Sequence, residues 1–255
     1  MGLTLISDPL FWICAVIAVI TTGISKGGIG GLGIFAVPVM SLAISPVQAA
    51  GIMLPILIVM DWTSVAAYRN HWDPAVLRLT LPSAILGVVL GGFLARYVDD
   101  GFVRICVGLI ALGFVGYSVF KDQIIKNRSR SRLVGHKPAG IAAGLAAGFT
   151  SFIAHAGGPL YQAYAIPQGL EKRIYAGTTV VFFTVINAVK LIPYAMLGQF
   201  DKTNLSASLV LIPLAPIGVW IGVWLINRID ERVFFRVLYA LLVCVAVKLL
   251  WDGFH

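Results

Sequence analysis

Eight long apolar runs divide this chain, at about residues 9–25, 46–68, 75–96, 102–120, 137–154, 173–197, 203–227 and 232–251. Most come close to or exceed the roughly 20 residues that a helix needs to cross the hydrocarbon of a bilayer. Charged residues make up 12% of the 255 residues, about half the share of an ordinary soluble domain. The runs do not alternate as the strands of a membrane barrel do, and helices satisfy their own backbone groups where water is absent. The expected fold class is an all-α polytopic membrane protein.

Two shorter apolar segments, about 31–45 and 157–168, each follow a break in a long run. The first break is "TTGISKGGIGGLGIFAVP", residues 21 to 38, where Lys26 precedes Gly27, Gly28, Gly30, Gly31 and Gly33. Clustered glycines expose backbone, which is tolerated at membrane depth only where protein or water covers it. A broken helix also creates a new N-terminus, whose free N–H groups and positive dipole end attract an anion. The second break, "GFTSFIAHAGGPLYQ", residues 148 to 162, offers Thr150, Ser151, His155, Gly157, Gly158 and Gln162.

The two breaks fall in corresponding halves of a weak internal duplication. Ala50-Gly51 and Tyr68 match Ala176-Gly177 and Tyr194 at an offset of 126; Pro82, Gly87, Gly91 and Asp99 match Pro213, Gly218, Gly222 and Asp230 at 131. This gives a first transmembrane repeat at 1–120, a basic linker at 121–137 and a second repeat at 138–255. Six linker residues are Lys or Arg, so the linker is expected to be cytoplasmic. If each long-plus-short pair forms a hairpin entering and leaving on one side, each repeat is a glycine-broken helical hairpin plus three spanning helices, and the repeats are inverted. Thirteen of the 19 Lys and Arg then face inward and four outward, with both termini outside. If the short segments cross fully, the halves are parallel instead. Paired helix breaks in two inverted repeats point to a transporter's binding site at the bilayer midplane.

Three charged residues are expected at membrane depth: Lys26, Asp61 and Lys190. A lysine at membrane depth costs about 2.5–3.5 kcal/mol on insertion scales, so each calls for a reason. Lys26 can serve an anion, pair with Asp61, or reach the interface; the same choices hold for Lys190. Asp61 matches Asn187 in the duplication and can balance a lysine or carry a proton. Ser25, Thr150, Ser151, Gln162 and Asn187 can hydrogen-bond the oxygens of a bound anion.

Other classes find little support. Cys14, Cys106 and Cys244 are scattered in apolar runs without metal-ligand spacing, so neither a metal nor another cofactor is expected. The net charge of +8 fits cytoplasmic loops rather than nucleic-acid binding. No basic stretch precedes the first apolar run, as a signal peptide would require, and "MGLTLI" lacks the Ser or Thr of a myristoylation motif. Most tryptophans fall near the predicted span ends, where they anchor to the interface.

At "GISKGGIGGLGIFAVPVMSL" with "SPVQAAGIMLPILIVMDW", and at "GFTSFIAHAGGPL" with "YAGTTVVFFTVINAVKLIPYAMLGQF", the chain resembles the TauE/SafE family of membrane proteins, over nearly its whole length. The resemblance implies transport of a small sulfur-containing or organic anion of the sulfite, sulfonate or sulfoacetate class, with export the expected direction. The second motif is plainer in many members than here, so His155 sets this chain apart. On this reading the anion sits between the two hairpin tips, at Gly27, Gly28, Gly30, Gly31, Gly157 and Gly158, with Lys26 and Lys190 supplying charge. The protein would lie in a bacterial inner membrane, and no P-loop is present, so an ion gradient, with a coupling proton or cation, or the substrate's own gradient would drive it. An anion channel, a cation carrier built on Asp61, and an intramembrane hydrolase using Ser151 and His155 are the alternatives. The last has no GxSxG, HExxH or paired intramembrane carboxylates behind it, and an enzyme is not expected.

Overall fold

The computed structural model describes residues 6–26, 32–68, 70–127, 136–225 and 231–255. These residues form helices α1 (Pro9–Lys26), α2 (Ala36–Met40), α3 (Pro46–Tyr68), α4 (Pro74–Leu94), α5 (Asp100–Asn127), α6 (Lys137–Ala154), α7 (Gly158–Ala165), α8 (Lys172–Met196), α9 (Lys202–Leu211), α10 (Leu214–Leu225) and α11 (Glu231–Phe254). Single 3-10 turns precede α2 and follow α7. No strand occurs among the described residues. By length and composition α1, α3, α4, α5 and α8 can each cross a membrane.

All eight long runs are helical, with one break that the hydropathy pattern hides. The run at 203–227 is split at Ile212 and Pro213 into α9 and α10, bent by 43°. Pro213 has no N–H to give, and its ring crowds the carbonyl four residues back, which ends the first helix. α5 continues seven residues beyond the expected end of its run, so the first part of the basic linker is helical to Asn127. Residues 128–135 of that linker, and Gly27, Gly28, Gly30 and Gly31, lie outside the described residues.

The exposure pattern is that of a chain solvated by lipid. Leu86, Val89, Leu90 and Phe93 of α4 point outward, while Asp61, Asn187 and Lys190 are buried. Buried hydroxyls hide their donors on their own helices: Thr22 on Ala18 O at 2.7 Å and Thr80 on Val76 O at 2.9 Å. Helix starts are capped by side chains, Asp73 accepting from the Val76 N–H and Asp201 from the Asn204 N–H, both at 2.8 Å.

Small residues set the helix pairs. Gly140, Gly144 and Gly148 recur every four residues along α6 and press against α4. A β-carbon on Gly148 would lie 2.0 Å from Ala84 O, and one on Gly87 of α4 would lie 2.2 Å from Leu145 O. With no apolar driving force between helices in lipid, such backbone contact is what holds them. α1 meets α10 in the same way: a β-carbon on Gly23 would lie 2.7 Å from the Gly218 backbone. α5 packs on α11, and α3 packs on α8. The short segments after the two breaks fold back, α2 onto α1 and α7 onto α6.

Candidate functional site

α3 and α8 carry the polar centre. Asp61 on α3 is fully buried. One of its carboxylate oxygens accepts from the Lys26 ammonium, and the other accepts from Asn187 Nδ2 at 2.6 Å. Lys26 ends α1, so its partner comes from a different helix 35 positions later. Of the roles open to Lys26 from sequence, the structure has the ion pair with Asp61. The duplication match of Asp61 with Asn187 becomes a direct contact.

Lys190, one turn beyond Asn187, is also fully buried. Its Nζ lies 3.0 Å from Ser151 O, 3.1 Å from Ser151 Oγ and 2.8 Å from His155 Nδ1. It thereby places a basic group at the C-terminal end of α6, where unpaired carbonyls and the negative dipole end favour one. His155 closes that helix in the left-handed conformation, φ 52°, and its Nε2 lies 3.0 Å from Ala50 O on α3. A carbonyl only accepts, so Nε2 carries the hydrogen and Nδ1 is left to accept from Lys190. Tyr194 OH donates to Phe152 O at 2.7 Å, tying α8 to the same end of α6.

These groups border a cavity of about 240 Å³. Ser25, Lys26, Ser151, His155, Gln162 and Asn187 form its polar lining, and Gly158, the first residue of α7, faces it with open space. Ile34, Met53, Leu57, Val180 and Phe183 supply apolar walls. The volume lies below the roughly 300–1,000 Å³ typical of drug-sized ligands, and suits an ion of a few heavy atoms. A second cavity of about 230 Å³, almost wholly apolar, is lined by Ala50, Phe152 and Tyr194 among others. The His155–Ala50 contact therefore joins a residue of one cavity to a residue of the other.

Nine of the residues expected from sequence meet in or directly behind the first cavity: Ser25, Lys26, Asp61, Ser151, His155, Gly158, Gln162, Asn187 and Lys190. Thr150 donates to Ala146 O of its own helix at 2.8 Å and is not in the cavity wall. Gly157 packs rather than lines: its β-carbon would lie 2.4 Å from Ala147 O. Tyr68, Tyr175, Thr179 and Phe183 also line the cavity and were not singled out from sequence. The signal was present on α8, where Tyr175, Thr179, Phe183 and Asn187 recur every four residues and share one face.

A polar cavity with paired charges inside a lipid-facing helix bundle marks a polytopic membrane protein. The model of the sulfite exporter TauE/SafE family matches residues 15–249, and the chain belongs to that family. It is thus a membrane transporter of the sulfite and sulfonate exporter kind. No curated protein and no solved structure in the comparisons matches it.

Proposed function

We propose that this chain is a secondary transporter of a small sulfur-containing or organic anion, with export as its direction, and that the anion binds at the polar end of the 240 Å³ cavity. The observation that carries this reading is the convergence of Lys26, Ser151, His155, Gln162 and Asn187 on one small space beside two helix breaks. Lys26 keeps 19% of its side-chain surface exposed beside Asp61, so its ammonium has hydrogens left for a second anion. Gly158 opens α7 toward the same space, adding a helix N-terminus. The apolar walls lower the local dielectric and so strengthen the charge interaction. The pairing of α1 with α10, mirrored by α6 with α4, supports the reading of two related repeats, inverted about the cavity. The basic linker would then face the cytoplasm of a bacterial cell.

A thermal-shift screen of the purified protein tests the site with sulfite, sulfoacetate, taurine, isethionate and simple carboxylates. A bound anion present at a hundredfold excess over its Kd stabilises the folded state by about 2.7 kcal/mol. Lys26→Gln is expected to weaken that anion's binding about tenfold while the protein still purifies folded. No stabilisation by any of these anions would overturn the reading.

A further inference from the structure

Lys190 is fully buried, unlike Lys26, and among the described residues no carboxylate lies within ion-pair distance of it. Its three neighbours work with either protonation state. An ammonium donates to Ser151 O, Ser151 Oγ and His155 Nδ1. A neutral amine donates to Ser151 O and His155 Nδ1 and accepts from the Ser151 hydroxyl, because a hydroxyl can reverse its role. Lys190 Nζ keeps its three contacts with the proton and without it.

The charges around the cluster make this consequential. Lys26 on α1 and Asp61 on α3 cancel each other. On α8, Asn187 carries no charge, and Tyr194 lies beside the His155 ring, centroids 6.3 Å apart, with its hydroxyl committed to Phe152 O. On α6, Ser151 and His155 are the remaining faces of the cluster, and a second proton on His155 would set two N–H groups against each other at 2.8 Å. Lys190 and His155 therefore hold one ionisable proton between them. Without it, the empty cavity is neutral. With it, the cavity carries one positive charge, which a monoanion cancels. Both the empty and the loaded protein then cross their conformational cycle without a net charge in the membrane, where charge is costly.

We propose that the Lys190–His155–Ser151 cluster is the coupling-proton site, so that one proton travels with each monoanion. The inference rests on the anion site proposed above and adds the coupling ion to it. Ser151 and His155 face the cavity while also contacting Lys190, so a bound anion stabilises the protonated cluster, and protonation by the same linkage favours the anion. The proton is taken from water on the loading side and returned to water on the other. The electroneutral symport runs outward, as the export reading requires, when the outward anion gradient exceeds the inward proton gradient.

The test uses the full chain in liposomes, with radiolabelled isethionate outside and a pH dye inside. Isethionate is a sulfonate and stays ionised at physiological pH, so any proton that moves with it is carried by the protein. The expected result for the wild type is about one proton per anion, with flux insensitive to a potassium-diffusion potential. Lys190→Gln and His155→Gln are expected to lower that ratio at least about tenfold, and any flux left should become voltage-sensitive. The ratio is independent of how much activity survives, and if neither variant moves anion the wild-type ratio and voltage response decide. Anion flux in the wild type without protons, or a ratio of one retained in Lys190→Gln, overturns the proposal. Absence of flux and of binding for every anion screened overturns instead the transport-site reading beneath it.

Discussion

Replacing Asp61 by leucine is expected to destabilise the protein by about 3 kcal/mol. Breaking a buried ion pair from one side leaves the other charge without compensation and costs roughly 3–5 kcal/mol. The low end applies because Lys26 retains 19% exposure toward the cavity, where water can reach it. Asn187 also loses its acceptor. The double substitution Lys26→Leu with Asp61→Leu removes both charges, and apolar replacements of a buried pair are often close to neutral in stability. It should recover most of the loss, yet bind the anion at least about tenfold more weakly than the wild type. Unfolding of the three variants in detergent measures the cycle. A double variant as unstable as Asp61→Leu alone would show that the pair is not what stabilises this contact.

The second large effect is expected at the α4–α6 crossing. Gly148→Val would drive a β-carbon to 2.0 Å from Ala84 O, against backbone that has no rotamer to yield. Overpacking of this kind costs about 1–3 kcal/mol, and a rigid backbone contact belongs at the upper end. The same valine at Gly113, where a β-carbon meets nothing within 4 Å, should cost well under that. Thermal unfolding of the two variants separates a packing role from a general intolerance of valine in these helices. Equal midpoints would contradict the close crossing.

Much of this architecture is legible in the sequence because membrane helices declare themselves by length and apolarity alone. The long runs and the short segments after each break are helical where hydropathy placed them. Pro213 escaped because its neighbours are apolar, and hydropathy carries no information about a missing N–H. Pro82 sits inside α4 without ending it, so proline alone does not settle the matter. The candidate site was legible in membership but not in pairing. Lys26, Asp61 and Lys190 stand out because charge is rare in these segments. Which lysine meets the carboxylate depends on the approach of α1 to α3, which no local periodicity encodes. Gly157 and Gly158 look alike in sequence, yet one presses against Ala147 O and the other opens on the cavity. Tyr68 and Tyr175 lie near helix ends, where nothing in the local sequence distinguishes a cavity-lining aromatic from an interface anchor.

That contrast between adjacent glycines supplies the most direct test of the anion site. Gly158 is the first residue of α7, and a β-carbon there meets nothing within 4 Å, so a leucine side chain starts into the open space of the cavity rather than against packed protein. Leucine also favours a helix over glycine by up to about 1 kcal/mol, so folding should not suffer. Isothermal titration of wild type and Gly158→Leu with sulfite and isethionate measures the consequence. The anion bound by the wild type is expected to bind the variant at least about tenfold more weakly, with an unfolding midpoint unchanged or raised. Equal affinity in a folded Gly158→Leu would place the anion elsewhere and contradict the account.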